Sequence, residues 1–124
     1  MTRQFAKLWV VGFAATLIAG SPQAQTADET LMKSARSIAR IGLIEPICSP
    51  FYLLDRKRLA EVKGWMLQDG VERFGAVLIQ RTVDRVRSEF LGVIKREGAA
   101  GWCPAQRAFY KVPGQPEFIG SPLE

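Results

Sequence analysis

Apolar residues recur along this chain at intervals of three and four, the period of a helix with one face in a core. Between about Asp28 and Ile44 they are Leu31, Met32, Ala35, Ile38, Ala39 and Leu43, while Lys33, Arg36, Ser37 and Arg40 fall largely on the other side. The spacing predicts a first helix here, with Asp28 and Glu29 in its first turn, where carboxylates complement the positive end of the helix dipole. Glu45-Pro46 predicts its stop, because the residue before proline avoids the helical region. Ser49-Pro50 reads as an N-cap followed by proline at the first helical position. A second helix is expected from Pro50 to about Leu67, with Tyr52, Leu59, Val62 and Met66 on one side and Phe51, Leu54 and Trp65 widening it. A break near Asp55 or Gly64 fits this stretch, since glycine in a helix interior costs roughly 1 kcal/mol relative to alanine.

Asp69-Gly70 is a turn signal, and a third helix is expected from Val71 to about Glu97. At about 100° per residue, Val71, Gly75, Leu78, Ile79, Thr82, Val86, Phe90 and Val93 fall in one band, with Val83 and Ile94 at its edge. Arg73, Arg81, Asp84, Arg85, Ser88 and Lys95 lie opposite, and Gly98 follows as a C-terminal cap. Such a helix would be roughly 40 Å long, against a radius of gyration of about 13 Å for a compact domain of this size. It must bend near Gly75 or Gly92, project, or be shared with a partner. One more helical turn is expected over Ala105 to Tyr110. Beyond Lys111 the chain has Pro113, Gly114, Pro116, Gly120 and Pro122 and no apolar period. Residues 111–124 therefore read as a flexible, extended tail. No alternating run is long enough to argue a sheet. The expected fold class is all-α, a small bundle of about three helices within residues 25–110, with one disulfide and an extended C-terminal tail.

The start of the chain changes the setting. Arg3 and Lys7 precede the apolar run Leu8 to Ala19, and Gly20-Ser21-Pro22-Gln23-Ala24 follows. A charged n-region, an apolar stretch of roughly 7–15 residues and a small-residue exit mark a secretory signal. The run is shorter than the about 20 residues of a spanning helix. Residues 1–24 are therefore expected to be a signal peptide, and the mature form not to span a membrane. The short n-region fits a bacterial periplasmic or secreted protein.

An oxidising address bears on the two cysteines. Cys48 and Cys103 allow one pairing, and a structural disulfide is the expected state. A crosslink suits a mature chain of about 100 residues, whose core is thin. Gly101-Trp102-Cys103-Pro104 looks like the front half of a thioredoxin-type site, but the second cysteine of that site is replaced by Gln106 and no βαβ pattern surrounds it.

Little else points to chemistry. The chain has no histidine, the commonest general base and metal ligand. The cysteines lack zinc-ligand spacing. There is no G-x-S-x-G, no phosphate-cradling glycine loop and no H-E-x-x-H. Asp69 and Glu72 share a side at i, i+3, but capping of a helix start is their simpler role. No catalytic residue, metal or cofactor is expected, and the protein is not expected to be an enzyme.

Charge suggests partners instead. Lys and Arg number 17 against 12 Asp and Glu, for a net charge of +5. Loss of Arg3 and Lys7 with the signal lowers it to about +3, too little, with export, to favour nucleic acid. Arg56-Lys57-Arg58 forms a short cluster, and Arg73, Arg81, Arg85 and Lys95 a stripe interrupted by Asp84, for which Arg81–Asp84 and Asp84–Arg87 pairs are expected. Val77 and Leu91 lie on that polar side, where a solvated helix does not need them. Val77, Arg81, Arg85 and Leu91 are thus the candidate partner-binding residues. Trp65, Trp102, Phe109 and Tyr110 are assigned to the core, with Trp102 on the disulfide. The expected role is an accessory, inhibitor or chaperone-like factor that binds a protein partner or a second copy of itself. The alternative is an envelope-surface binder that places its basic face on anionic lipid or cell-wall polymer. In size, export and cysteine count the chain is similar to the two-cysteine helical acid chaperones of the bacterial periplasm; they share no further motif with it.

Export predicts a mature chain that begins between Ser21 and Ala27. Intact-mass measurement of the native protein checks this, and a full-length mass in the membrane fraction is incompatible with it.

Overall fold

The computed structural model describes residues 20–114 and 117–124, with side chains from Thr26 onward. The first 19 residues of the expected signal lie outside the described residues. The chain divides into two compact units, Met1–Thr30 and Leu31–Glu124. In the first, the described residues are helical and the Thr30 hydroxyl donates to the Thr26 carbonyl at 2.8 Å. Among the described residues, the buried core lies in the second.

The protein is all-α with a minor strand pair. Its elements are α1 (Gly20–Cys48), β1 (Tyr52–Leu54), α2 (Arg56–Phe74), α3 (Ala76–Glu97), α4 (Ala99–Phe109) and β2 (Ile119–Pro122). Two clusters form the core. One gathers Ile41, Leu43, Ile44, Cys48, Leu59, Ile94, Trp102, Cys103 and Ile119; the other gathers Ala35, Ile38, Ala39, Ile79, Val83 and Val86. Met66 of α2 and Phe90 of α3 pack against both and join them. The apolar face read in the first helix is the face that is buried. On α3, Ile79, Thr82, Val83, Val86 and Ile94 are buried as one stripe.

The element boundaries differ from the sequence reading, each for a local reason. α1 does not stop before Pro46 but continues to Cys48. Proline in a helix costs about 3 kcal/mol, and here the extra turn places Ile47 and Cys48 on the main cluster, with Cys48 fully buried. Ser49-Pro50 is a turn, closed by the Phe51 N–H on the Cys48 carbonyl at 2.9 Å. The cap of α2 is Asp55, whose carboxylate accepts from the Arg58 N–H at 3.0 Å. Asp69-Gly70 is not a turn but helix interior. A Cβ on Gly70 would lie 3.0 Å from Ile79 Cγ1 and 3.1 Å from Ile38 Cδ1, so this glycine serves close packing of α2 on α1 and α3.

The long third stretch breaks at Gly75, one of the two glycines where a bend was expected. Gly75 has φ 86° and ψ 147°, a conformation that is essentially glycine's alone. Its N–H closes α2 on the Val71 carbonyl at 2.9 Å, and its carbonyl opens α3 to the Ile79 N–H at 3.1 Å. Gly98 repeats the device between α3 and α4, with φ 86° and its N–H on the Ile94 carbonyl at 2.7 Å. The single helical turn expected over Ala105 to Tyr110 is thus part of a longer helix that begins at Ala99, directly after Gly98.

The C-terminal segment departs furthest from expectation. β2 pairs antiparallel with β1, with Tyr52 opposite Pro122 and Leu54 opposite Ile119 across an irregular register. The Asp55 N–H donates to the Phe118 carbonyl at 2.9 Å and the Leu123 N–H to the Phe51 carbonyl at 2.8 Å. Ile119 is 1% exposed. The tail is extended as expected, yet it is held by a ladder and by one buried side chain that no periodicity announced. Tyr110 and Phe118 pack edge to face at 5.3 Å and close the loop between them. The Arg40 guanidinium lies 4.4 Å over Phe109 and 5.5 Å over Phe90. Burial pushes the Tyr110 hydroxyl above its ordinary pKa, and the charge and hydrogen bonding of Arg40 oppose that push. Of the four aromatics assigned to the core, Trp102 is buried and Tyr110 packs against it, whereas Trp65 and Phe109 are 69% and 59% exposed.

The Cys48–Cys103 disulfide joins the last turn of α1 to α4 across a sequence separation of 55, with both residues fully buried. Closing a loop of that length stabilises by about 4 kcal/mol in the chain-entropy model. Cys103→Ser is expected to lower unfolding free energy by about 2–4 kcal/mol, and thiol labelling of the oxidised native protein to find no free cysteine. Two reactive thiols would overturn the pairing. Gly75→Ala is expected to destabilise by about 1–3 kcal/mol through backbone strain, read as a lower midpoint in chemical denaturation; an unchanged midpoint would show that the α2–α3 junction relaxes.

Candidate functional site: the outer face of α3

The candidate surface follows from how α3 divides its sides. With its buried stripe turned to α1 and α2, the opposite side faces solvent. Val77 and Lys95 lie on one line, about five turns apart, with Arg81 and Leu91 within about 40° of it and Arg85 about 80° away. Val77 is 71% exposed and Leu91 39% exposed. Arg81, Arg85 and Lys95 are exposed, and among the described residues none has a carboxylate at ion-pair distance. The structure thus places all four sequence-derived residues, Val77, Arg81, Arg85 and Leu91, on one open face. Ala76, Val77, Gln80, Arg81 and Asp84 line a shallow depression at its N-terminal end. Leu78, read as a core residue, is 44% exposed and adds apolar surface beside Val77.

The ion pairs expected along this face do not form. Asp84 instead accepts from Gln80 Nε2 at 3.0 Å. Arg73 leaves the stripe because Gly75 puts it on α2, where it meets Asp69 at 3.5 Å. Of the Arg56-Lys57-Arg58 cluster, Arg56 pairs with Glu45 at 2.6 Å and Arg58 with Glu61 at 4.0 Å. These are solvent-facing pairs, worth about 0–1 kcal/mol each. On α3, Arg81, Arg85 and Lys95 keep no such partner among the described residues.

The remaining candidates for chemistry have structural partners. Asp69 meets Arg73, and Glu72 accepts from Gln68 at 3.2 Å, so the two carboxylates do not act as a pair. Both cysteines are in the buried disulfide. Among the described residues no group of three or more His, Cys, Asp or Glu is placed to hold a metal ion, and no helix is long and apolar enough to cross a membrane. Comparisons with protein families, curated proteins and solved structures find no match for the chain.

Proposed function

We propose that this is a small exported, periplasmic protein that acts by binding another protein, as an accessory, inhibitor or chaperone-like factor, through the outer face of α3. The observation that carries the reading is Val77, 71% exposed on a helix whose opposite side supplies the core. Burying such a side chain is worth about 1–2 kcal/mol to a complex. Arg81 and Arg85 beside it hold no intramolecular partner among the described residues and suit carboxylates on the surface they meet. The buried disulfide supports an oxidising compartment. The role needs recognition and no reaction.

Val77→Asp combined with Leu91→Asp is expected to abolish partner capture by crosslinking in the native periplasm, while the helical circular-dichroism signal and Tm stay nearly unchanged. An unfolded double variant would assign these positions to the core. A folded variant that keeps every crosslinked partner would remove the proposed surface. The alternative, attachment to anionic lipid or cell-wall polymer, uses Arg81, Arg85 and Lys95 without the apolar residues. Binding of that kind fades with salt, since the Debye length is about 8 Å at physiological ionic strength, and it survives the double substitution.

A further inference from the structure

A second groove lies where α1, α2 and α3 meet, and it shares Gln80 with the depression on the outer face of α3. Ile38 and Ala39 of α1, Ala60 and Gly64 of α2 and Val83 of α3 form its apolar surface, and its volume is about 270 Å³. Gly64 is the informative residue. Glycine inside a helix destabilises it relative to alanine and calls for a reason. Gly70, farther along α2, has one in its contacts with Ile79 and Ile38. Gly64 has neither a positive φ nor a crowded neighbour, and a Cβ built on it meets nothing within 4 Å. The space it leaves is the groove.

The charges around that space have one sign. Lys63 of α2 and Arg87 of α3 line it, no acidic residue does, and among the described residues neither cation has an ion-pair partner. The nearby carboxylates are engaged elsewhere: Glu45, in an adjoining dent, pairs with Arg56 at 2.6 Å, and Asp84 accepts from Gln80 at 3.0 Å. From Ala60 to Leu67 the α2 wall runs about 10 Å. One turn of a partner helix, about 10–12 Å across with its side chains and about 5.4 Å in pitch, takes about 500 Å³, more than this groove holds. A single alkyl chain takes less.

We infer that the groove binds a medium-chain alkyl carboxylate, its chain against Ile38, Ala39, Gly64 and Val83 and its head group held by Lys63 and Arg87. None of Val77, Arg81, Arg85 and Leu91 lines the groove, so the site stands or falls independently of the α3 contact residues. Titration of the oxidised protein with sodium decanoate, followed by amide chemical shifts, tests it. The expected result is saturable binding at one site, with shifts centred on Gly42, Gly64 and Val83. Shortening the chain should weaken binding about two- to fourfold per methylene. Decanol, which lacks the charge, should bind about two- to tenfold more weakly, and Lys63→Ala with Arg87→Ala should bring decanoate to the level of decanol. Gly64→Leu extends a side chain into the groove from a position where an added Cβ meets nothing within 4 Å. It should cut affinity at least about tenfold at an unchanged or higher Tm, as its better helix propensity implies. Gly64→Leu binding decanoate as well as the parent, shifts that map to Val77 and Arg81, or no saturation below the micellar concentration would each overturn the inference. If Gly64→Leu lowers Tm, the decanoate-to-decanol ratio of the Lys63→Ala, Arg87→Ala variant decides: a ratio unchanged from the parent overturns it.

Discussion

The fold depends on a covalent bond placed where the core is thickest. Cys48 and Cys103 are both fully buried, and the cluster around them draws from α1, α2, α3, α4 and β2. A domain of about 100 residues buries too little surface to hold four helices by packing alone with much margin. The bridge fixes the last turn of α1 against α4, and Trp102, beside Cys103 in sequence, is 6% exposed in the same cluster. Once that corner is fixed, Ile119 has a pocket to enter. Its burial brings the C-terminal segment alongside β1 and makes a ladder of two strands too short to be stable by themselves. The strand pair is a consequence of the corner.

Much of this was legible in the residues, and what was not has common causes. The three- and four-residue spacing located the buried faces of α1 and α3, because burial of one side is what that spacing records. The cysteine pairing followed from arithmetic. Boundaries failed where tertiary burial outweighed local preference. Pro46 is an ordinary stop signal, yet burial of Ile47 and Cys48 carries α1 past it. Asp69-Gly70 is an ordinary turn signal, yet Gly70 is there so that Ile79 and Ile38 can approach. The strands were invisible because three- and four-residue segments carry no readable alternation. Trp65 and Phe109 were misplaced because a large aromatic side chain says nothing by itself about which side of its helix is covered. For the candidate site, the residues on the α3 face came from angular position alone. The groove did not, since it depends on α1, α2 and α3 converging and only Gly64 hinted at it, as a suspected break.

Two glycines then determine what can function as a surface. Gly75 and Gly98 hold conformations that L side chains rarely adopt, and each ends one helix and begins the next without a connecting loop. By cutting the long apolar stretch at Gly75, the chain turns a helix too long for its own core into two that the core can cover. The same cut moves Arg73 onto α2 and into a pair with Asp69, while Arg81, Arg85 and Lys95 stay together on α3. The set of cations that α3 presents, Arg81, Arg85 and Lys95 without Arg73, is therefore a product of backbone punctuation as much as of composition.

The core-forming side of α3 is separate from the side proposed for recognition. The buried side of α3 meets α1 and α2 through Ile79, Thr82, Val83 and Val86, and the Thr82 hydroxyl is satisfied internally by the Leu78 carbonyl at 2.7 Å. None of those residues reaches the outer face, so Val77, Arg81, Arg85 and Leu91 are free to vary without moving the core. Val77, at 71% exposed, stands where the fold itself has no use for it. Single exposed apolar residues are common and carry little weight. Here Leu78 and Leu91 share the helix, and three cations without intramolecular partners among the described residues surround them. That mixture of small apolar area and unpaired charge is what supports the proposed contact surface.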